Sequence, residues 1–276
     1  MQRDFSTFIG VDLGGGKGKN TAVARLERDG QGVRVEFVGV RDPSGRPFYD
    51  GPLIDYVMGY PEGLVAMDAP LSPSVCVRCR REGCASLETC PDPTVRWFRD
   101  TGDRLVNGKP RRSGKPPTTA YTQRACEVIL HKRYGILPRE TLGQGMGPLT
   151  ARAHYLRRAV GDRFELNRNL IEVYPKATIH ALFGARSARR YKRETRTWQV
   201  RAGILESLSD RLRFSVWREG TLKNDHCFDA VIAAFTGYLW AEQRWQMPEE
   251  HREVFEEDGW IWFPPMEPLE SREDGT

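Results

Sequence analysis

Four acidic residues stand beside apolar segments that are typical of a protein core. Asp12 follows FIGV, Asp68 follows LVAM, Glu172 lies within LIEVYP, and Asp229 lies within DHCFDAVIAAF. A buried carboxylate costs free energy unless it has a partner, and one divalent cation would serve several carboxylates at once. Mg²⁺ and Mn²⁺ prefer such oxygen ligands. We therefore expect these four residues to bind Mg²⁺ or Mn²⁺, with an arginine as the alternative partner of Glu172.

Such a site suits phosphoryl chemistry. Two ions held about 3.5–4 Å apart can bind the attacking and the leaving oxygens of a phosphate displacement. Without metal the carboxylates repel each other, so their pKa values should be raised. Asp225 and His226 precede Asp229 by four and three residues, which places all three on one side of a helix. Either residue could orient a ligand, move a proton or contact phosphate. The alternatives are an N-cap for Asp225 and a structural role for His226.

Four cysteines predict a second metal site. Cys76, Cys79, Cys84 and Cys90 fall within fifteen residues. No secretory signal precedes them, which favours metal over disulfides. Thiolates suit structural Zn²⁺, and an iron–sulfur cluster is the alternative, followed by disulfides or free thiols. Cys126 and Cys227 lie in predicted helices and are expected in the core.

Basic residues suggest a surface for nucleic acid. Residues 249–276 carry a net charge of −8, which leaves +13 on the first 248 residues. Segment 185–201 holds seven Arg or Lys, and KPRRSGK spans 109–115. Such runs can neutralise phosphates or merely keep a surface solvated. The predicted nucleic-acid contacts are Arg111, Arg112, Arg189, Arg190, Lys192 and Arg193.

The elements that must position these residues alternate between strands and helices. Short apolar segments around 8–13, 21–27, 32–41, 63–68 and 170–174 read as strands, with a hairpin turn at Asp29 and Gly30. Helices are expected over 50–58, 121–134, 150–160, 176–183, 194–208 and, most clearly, 225–244. We predict an α/β fold with a mixed sheet and flanking helices. Residues 1–248 form its domain, 70–118 an irregular Cys-rich insertion, and 249–276 an acidic tail.

Composition excludes several classes. The chain of 276 residues has 39% hydrophobic residues and twelve Phe, too many for a disordered protein. No apolar run reaches the roughly 18 residues that a membrane span needs, and no signal peptide is visible. We expect a cytoplasmic protein without a membrane partner, and its oligomeric state stays open.

Four segments together resemble one family. FIGVDLGGG, VAMDAPLSPS, LIEVYPKATIHALFG and DHCFDAVIAAFTGYL are similar, in order and kind, to domain of unknown function 429. The resemblance implies a ribonuclease-H-like fold and a predicted nuclease. It implies that Asp12, Asp68 and Asp229 are metal ligands and that Glu172 is a ligand or a proton-transfer group. The implied reaction is hydrolysis of a DNA or RNA phosphodiester by a metal-activated water.

Two other functions stay open. The loop from Gly14 to Lys19 resembles the phosphate loop of actin-like sugar kinases and ATPases, although a simple turn also explains its glycines. Such kinases usually carry a second phosphate loop, and the sequence has no second Asp-x-Gly-Gly segment. The kinase or ATPase function is therefore less favoured than the nuclease. A non-catalytic nucleic-acid-binding domain is the third possibility.

Overall fold

The described chain packs as two compact units, each assembled from separate stretches. The computed structural model describes residues 4–15, 21–84, 86–102, 105, 118–193 and 195–269. Unit 1 is drawn from Met1–Leu71, Pro148–Gln246 and Ile261–Pro264, and unit 2 from Ser72–Gly147, Met247–Trp260 and Pro265–Thr276. The predicted boundaries of a domain over 1–248 and a tail over 249–276 are not tested by this division and stay a prediction.

Unit 1 contains a six-stranded mixed sheet in the order β5-β4-β1-β2-β3-β6. Its first three strands are antiparallel, β4 is parallel to β1, β5 is parallel to β4, and β6 is parallel to β3. The mixed α/β fold is therefore confirmed. The strands are β1 Thr7–Asp12, β2 Ala22–Asp29, β3 Gly32–Gly39, β4 Leu64–Asp68, β5 Leu170–Glu172 and β6 Leu212–Phe214.

Helices flank this sheet, and the named elements of unit 2 are also helical. In unit 1 they are α1 Asp50–Met58, α5 Gly147–Ala159 (from Pro148 onward), α6 Pro175–Arg193, α7 Thr197–Ser207, α8 Glu219–Lys223 and α9 Asp225–Glu242. In unit 2 they are α2 Val75–Arg78, α3 Pro93–Trp97, the π-helical turn Phe98–Gly102, α4 Ala125–Tyr134 and α10 Arg252–Asp258. No helix in these described ranges has the length and apolar character of a membrane span.

The two faces of the sheet bury different sets of side chains. Successive strand residues point to opposite faces. Ile9, Val11, Val65 and Met67 join one hydrophobic cluster that also contains residues of α1 and α5. The other face of β1 carries Gly10, which packs against α9. These alternating positions decide which side of the sheet each carboxylate can reach.

Helix α9 approaches β1 unusually closely because Gly10 has no side chain. A Cβ atom there would lie 2.0 Å from the Ala230 carbonyl oxygen and 2.4 Å from the Ala234 nitrogen. Farther along the helix, Gly237 makes the matching approach, where a Cβ would lie 2.5 Å from Leu64 Cδ2. Backbone atoms cannot move aside cheaply, so glycine is required where β1 meets α9.

Buried ionic groups organise unit 2. Asp258 is fully buried and accepts hydrogen bonds from Arg78 Nη1 at 2.7 Å and from the Ala125 nitrogen at 2.6 Å. Glu127 is also buried and pairs with Arg124 Nε at 3.0 Å. Because buried charges need partners, these contacts fix helices α4 and α10 within the unit.

The observed elements correct several expectations. Strand β6 lies outside the predicted strands. Segment 185–193 is also helical: Gly184, with φ of +77°, ends one helical limb as expected, but a second limb follows it within α6. The segment predicted as irregular over 70–118 contains α2, α3 and the π-helical turn among its described residues. The hairpin turn at Gly30 (φ +63°) is confirmed.

Candidate metal centre

Asp12 and Asp68 lie side by side at the carboxyl ends of two neighbouring strands. Strands β1 and β4 are parallel, and their register pairs Asp12 with Asp68. Paired residues on adjacent strands share a face, and here it is the face of Gly10, toward α9. The two carboxylates are therefore delivered to one place by backbone hydrogen bonding alone.

Asp229 reaches the same place from the second turn of α9. Asn224 caps this helix, with its side-chain oxygen accepting from the His226 nitrogen at 3.0 Å. The expected cap, Asp225, is instead the first helical residue. Asp229 is followed by Ala230, which packs on Gly10, so the close helix approach carries Asp229 toward Asp12. One oxygen from each of Asp12, Asp68 and Asp229 lies within 4.8 Å of the other two.

This arrangement raises the pKa values of two of the three aspartates. Burial and then the charges of Asp12 and Asp229 raise the pKa of Asp68 well above its usual range. Burial, aided by Asp12 and opposed by Lys192, raises the pKa of Asp229 to about 7. The Asp229 carboxylate interacts with the side chains of Lys192 and Tyr191. Three crowded carboxylates with one lysine beside them fit a hard divalent cation.

Lys192 is the cation that the chain itself brings to this group. Its Nζ forms an ion pair with Asp229 Oδ2. Burial alone would lower the pKa of Lys192, but Asp229, Asp68 and Asp12 more than offset this and raise it. We predicted Lys192 as a nucleic-acid contact and did not foresee this ion pair, because the second limb of α6 was not predicted. Buried Ala188 and Tyr191, three residues apart, were the available signal for that limb.

His226 lies at the open side of the group. Its Nδ1 is 2.6 Å from Asp12 Oδ2, and about a third of its side chain is exposed. The hydrogen bond to Asp12 raises the pKa of His226, although partial burial opposes the shift. Asp225 is not part of the three-aspartate group, and its charge acts on both His226 and Asp229. His226 therefore contacts one of the three aspartates directly, while its predicted supporting role stays a prediction.

Glu172 is not brought into the three-aspartate group. Register pairs it with Met67 and not with Asp68, and Met67 belongs to the cluster on the opposite face. Its Oε2 accepts a hydrogen bond from the Leu71 nitrogen at 2.8 Å, which supports the turn after β4. Arg157, whose Nη1 donates to the Leu71 carbonyl at 2.7 Å, lies near enough to feel the charge of Glu172. The predicted ligand role of Glu172 stays a prediction.

A buried arginine that we did not predict supports the loop after Asp12. Arg152 Nη1 donates to the Gly14 carbonyl at 2.9 Å and to Thr21 Oγ1 at 2.7 Å, and its Nε pairs with Asp50 at 2.6 Å. Both ends of the glycine loop are thereby tied to α5. Residues 16–20 of that loop lie outside the described residues, so its predicted phosphate contact stays a prediction.

The predicted nucleic-acid contacts fall into two groups. Arg111 and Arg112 lie outside the described residues. Arg189, Arg190 and Arg193 lie on the second limb of α6, the limb that also carries Lys192. The same helical limb therefore carries these arginines and the lysine that contacts Asp229. Contact of the arginines with nucleic acid stays a prediction.

The four cysteines of unit 2 lie in a different kind of environment. Among the described residues, the three aspartates form the one group of potential ligands whose atoms all lie within 4.8 Å, so the cysteines are not gathered in this way. All four are free thiols. Burial and then Cys84, Cys90 and Cys79 raise the pKa of Cys76, which shows that the thiols influence one another. Cys126 and Cys227 are buried, as expected.

Comparison with known proteins identifies the family of the chain. No curated protein and no solved structure matches the chain. A family model described as protein of unknown function, DUF429, matches residues 10–253, a range that includes all three clustered aspartates. The chain therefore belongs to the DUF429 family of proteins of unknown function.

Proposed function

We propose that this protein is a metal-dependent nuclease that hydrolyses phosphodiester bonds of DNA or RNA with Mg²⁺ or Mn²⁺. The observation that carries the proposal is the convergence of Asp12, Asp68 and Asp229 within 4.8 Å from two strands and a helix. Structural ion-pair networks rarely gather three acids around one lysine, because the excess negative charge is costly to bury. A site that uses this charge to hold a cation gains from it.

We propose a ribonuclease-H-like fold for unit 1. Three antiparallel strands followed by two strands parallel to β1 support this assignment. Its acids stand at the carboxyl ends of β1 and β4, where open α/β sheets bind ligands. The short β6 at the far edge is an addition to that core.

The residues around the aspartates have separable roles in the proposed reaction. The bound metal would activate water and neutralise charge on the phosphate. Asp12, Asp68 and Asp229 would hold this metal. His226, hydrogen-bonded to Asp12 and partly exposed, is placed to exchange a proton at the open side of the site. Lys192 forms an ion pair with Asp229, and we propose that it contacts a substrate phosphate.

We also propose that Cys76, Cys79, Cys84 and Cys90 bind a structural Zn²⁺, with an iron–sulfur cluster as the alternative. None of the described residues from 76 to 93 is buried, so no hydrophobic core holds this stretch. A metal bound by four thiolates would supply the missing constraint.

The nuclease proposal is tested by cleavage of single-stranded, double-stranded, junction and hybrid substrates with Mg²⁺, Mn²⁺ or EDTA. We expect metal-dependent cleavage of at least one substrate. Asp12→Asn should lower the rate by more than about a hundred-fold, since loss of one well-placed electrostatic contact already costs this much. Circular dichroism should show that the variant remains folded.

The matched control is Asp55→Asn, which makes the same change on an exposed carboxylate of helix α1. It should cleave like the wild type. Full activity of Asp12→Asn, or no cleavage of any substrate with either metal, would overturn the proposal. Phosphate release from ATP without nucleic-acid cleavage would favour the kinase or ATPase alternative.

A further inference from the structure

An open cavity with cationic walls lies in unit 1. It has a volume of about 620 Å³ and lies where the end of α6 meets the start of α7. Three arginines and three other residues line it: Arg190, Arg193, Thr195, Arg196, Gln199 and Val200. Guanidinium, hydroxyl and amide groups are all able to donate hydrogen bonds to phosphate oxygens.

One helical limb connects this cavity to the three-aspartate group. Lys192, which contacts Asp229, is the immediate neighbour in sequence of Arg193, which lines the cavity. The end of this limb therefore carries residues of both places, while Thr195, Arg196, Gln199 and Val200 complete the cavity from beyond α6.

The cations on this part of unit 1 crowd one another. Burial, followed by Arg193, Lys192 and Arg189, lowers the pKa of Lys176. Burial, followed by Lys176 and Arg189, likewise lowers the pKa of His180. Positive groups held this close repel each other, and an anion bound among them would relieve the repulsion. The crowding and the cavity are separate observations that favour the same kind of ligand.

We propose that the cavity formed by Arg190, Arg193 and Arg196 binds a phosphate of the substrate strand next to the phosphate that is cut. This inference rests on the proposed function, because the three-aspartate group identifies the ligand as a nucleic-acid strand. It adds a requirement on the substrate: the strand must continue past the cleaved bond. Mononucleotide esters and dinucleotides lack that neighbouring phosphate and should be poor substrates.

The test compares two variants that remove the same charge. In the first, R190Q, R193Q and R196Q are combined. In the second, R34Q, R168Q and R213Q remove three exposed arginines of unit 1. These control positions lie toward the sheet end opposite Asp12, as strand register shows for Arg34 and Arg213. Fluorescence anisotropy then measures binding of a labelled single-stranded 20-mer in EDTA over a series of salt concentrations.

The affinity for nucleic acid falls as salt increases, and the steepness of log affinity against log salt decreases by roughly 0.7 for each phosphate of a single strand that is no longer contacted. The slopes below refer to this steepness. We expect the slope of the first variant to fall by about 0.7, because the cavity binds one phosphate, and its affinity at low salt to fall by at least about ten-fold. In cleavage assays its KM should rise more than its kcat falls. The control variant should change the slope much less. Equal effects in the two variants, or no binding by the wild type, would overturn the inference.

The outcomes separate this inference from the proposed function. Arginine-dependent binding without cleavage of any substrate would support the cavity and contradict the nuclease. Normal cleavage by the first variant, with unchanged KM, would contradict the cavity and leave the nuclease intact.

Discussion

The three aspartates of unit 1 and the four cysteines of unit 2 were both predicted to bind metal, yet their geometries differ. Asp12, Asp68 and Asp229 come from far apart in the chain and still meet within 4.8 Å. The cysteines are close in sequence and do not meet in this way. Strand register and helix packing assemble the first group, so it exists before any ion binds. The described residues from 76 to 93 include no buried side chain, so we expect the metal itself to assemble the second group.

The largest expected difference concerns zinc. We expect about one zinc per chain in purified protein, and none in a Cys76→Ser, Cys84→Ser variant, because four thiolates are needed for a closed site. Elemental analysis measures the zinc content. Limited proteolysis should show that the double-serine variant is cut faster within 76–93 than the wild type. Cys126→Ala, which alters a buried core thiol, is the control and should retain zinc. Wild-type protein that contains neither zinc nor iron would contradict the proposal of a metal site at the four cysteines.

A second test breaks the preassembled group without touching a ligand. Gly10→Ala would place a Cβ 2.0 Å from the Ala230 carbonyl oxygen and force α9 away from β1. We expect the free energy of unfolding to fall by about 1–3 kcal/mol and Mn²⁺ affinity to fall with it. Denaturant unfolding with and without Mn²⁺ measures both effects.

Gly51→Ala is the matched control, since an added Cβ there meets no atom within 4 Å. It should leave Mn²⁺ binding unchanged and alter stability by no more than about 1 kcal/mol. Unaltered Mn²⁺ binding by Gly10→Ala would mean that the close approach of helix and strand does not position Asp229.

The smallest expected effect is a pH dependence. The pKa values of Asp68 and Asp229 are raised, so at low pH Mn²⁺ must displace protons to bind. Affinity should therefore increase with pH, by roughly ten-fold per unit for each proton released, and level off above the raised pKa values. Calorimetric titrations between pH 5.5 and 8.5 measure this. A flat profile would show that the aspartates are already ionised throughout this range.

Sequence alone located the three aspartates because each adjoins an apolar segment with a clear period. It could not show that Glu172 lies outside the three-aspartate group, because its side of the sheet depends on pairing with Met67 and not with Asp68. Register of this kind is a property of the assembled sheet. The roles of Lys192 and Arg152 were hidden for a related reason: both are long cationic side chains whose partners lie far away in sequence. Charged helices such as the second limb of α6 show little apolar periodicity, so their side chains are difficult to orient in advance.

Mn²⁺ binding measured by electron paramagnetic resonance tests the central claim most directly. The proteins to compare are the wild type, three ligand variants and two controls: Asp12→Asn, Asp68→Asn and Asp229→Asn against Asp55→Asn and Cys76→Ser. We predict that each ligand variant loses at least about ten-fold in affinity while both controls bind like the wild type. Equal binding by all six proteins, or none by the wild type, would contradict the assignment of the three aspartates as a metal centre.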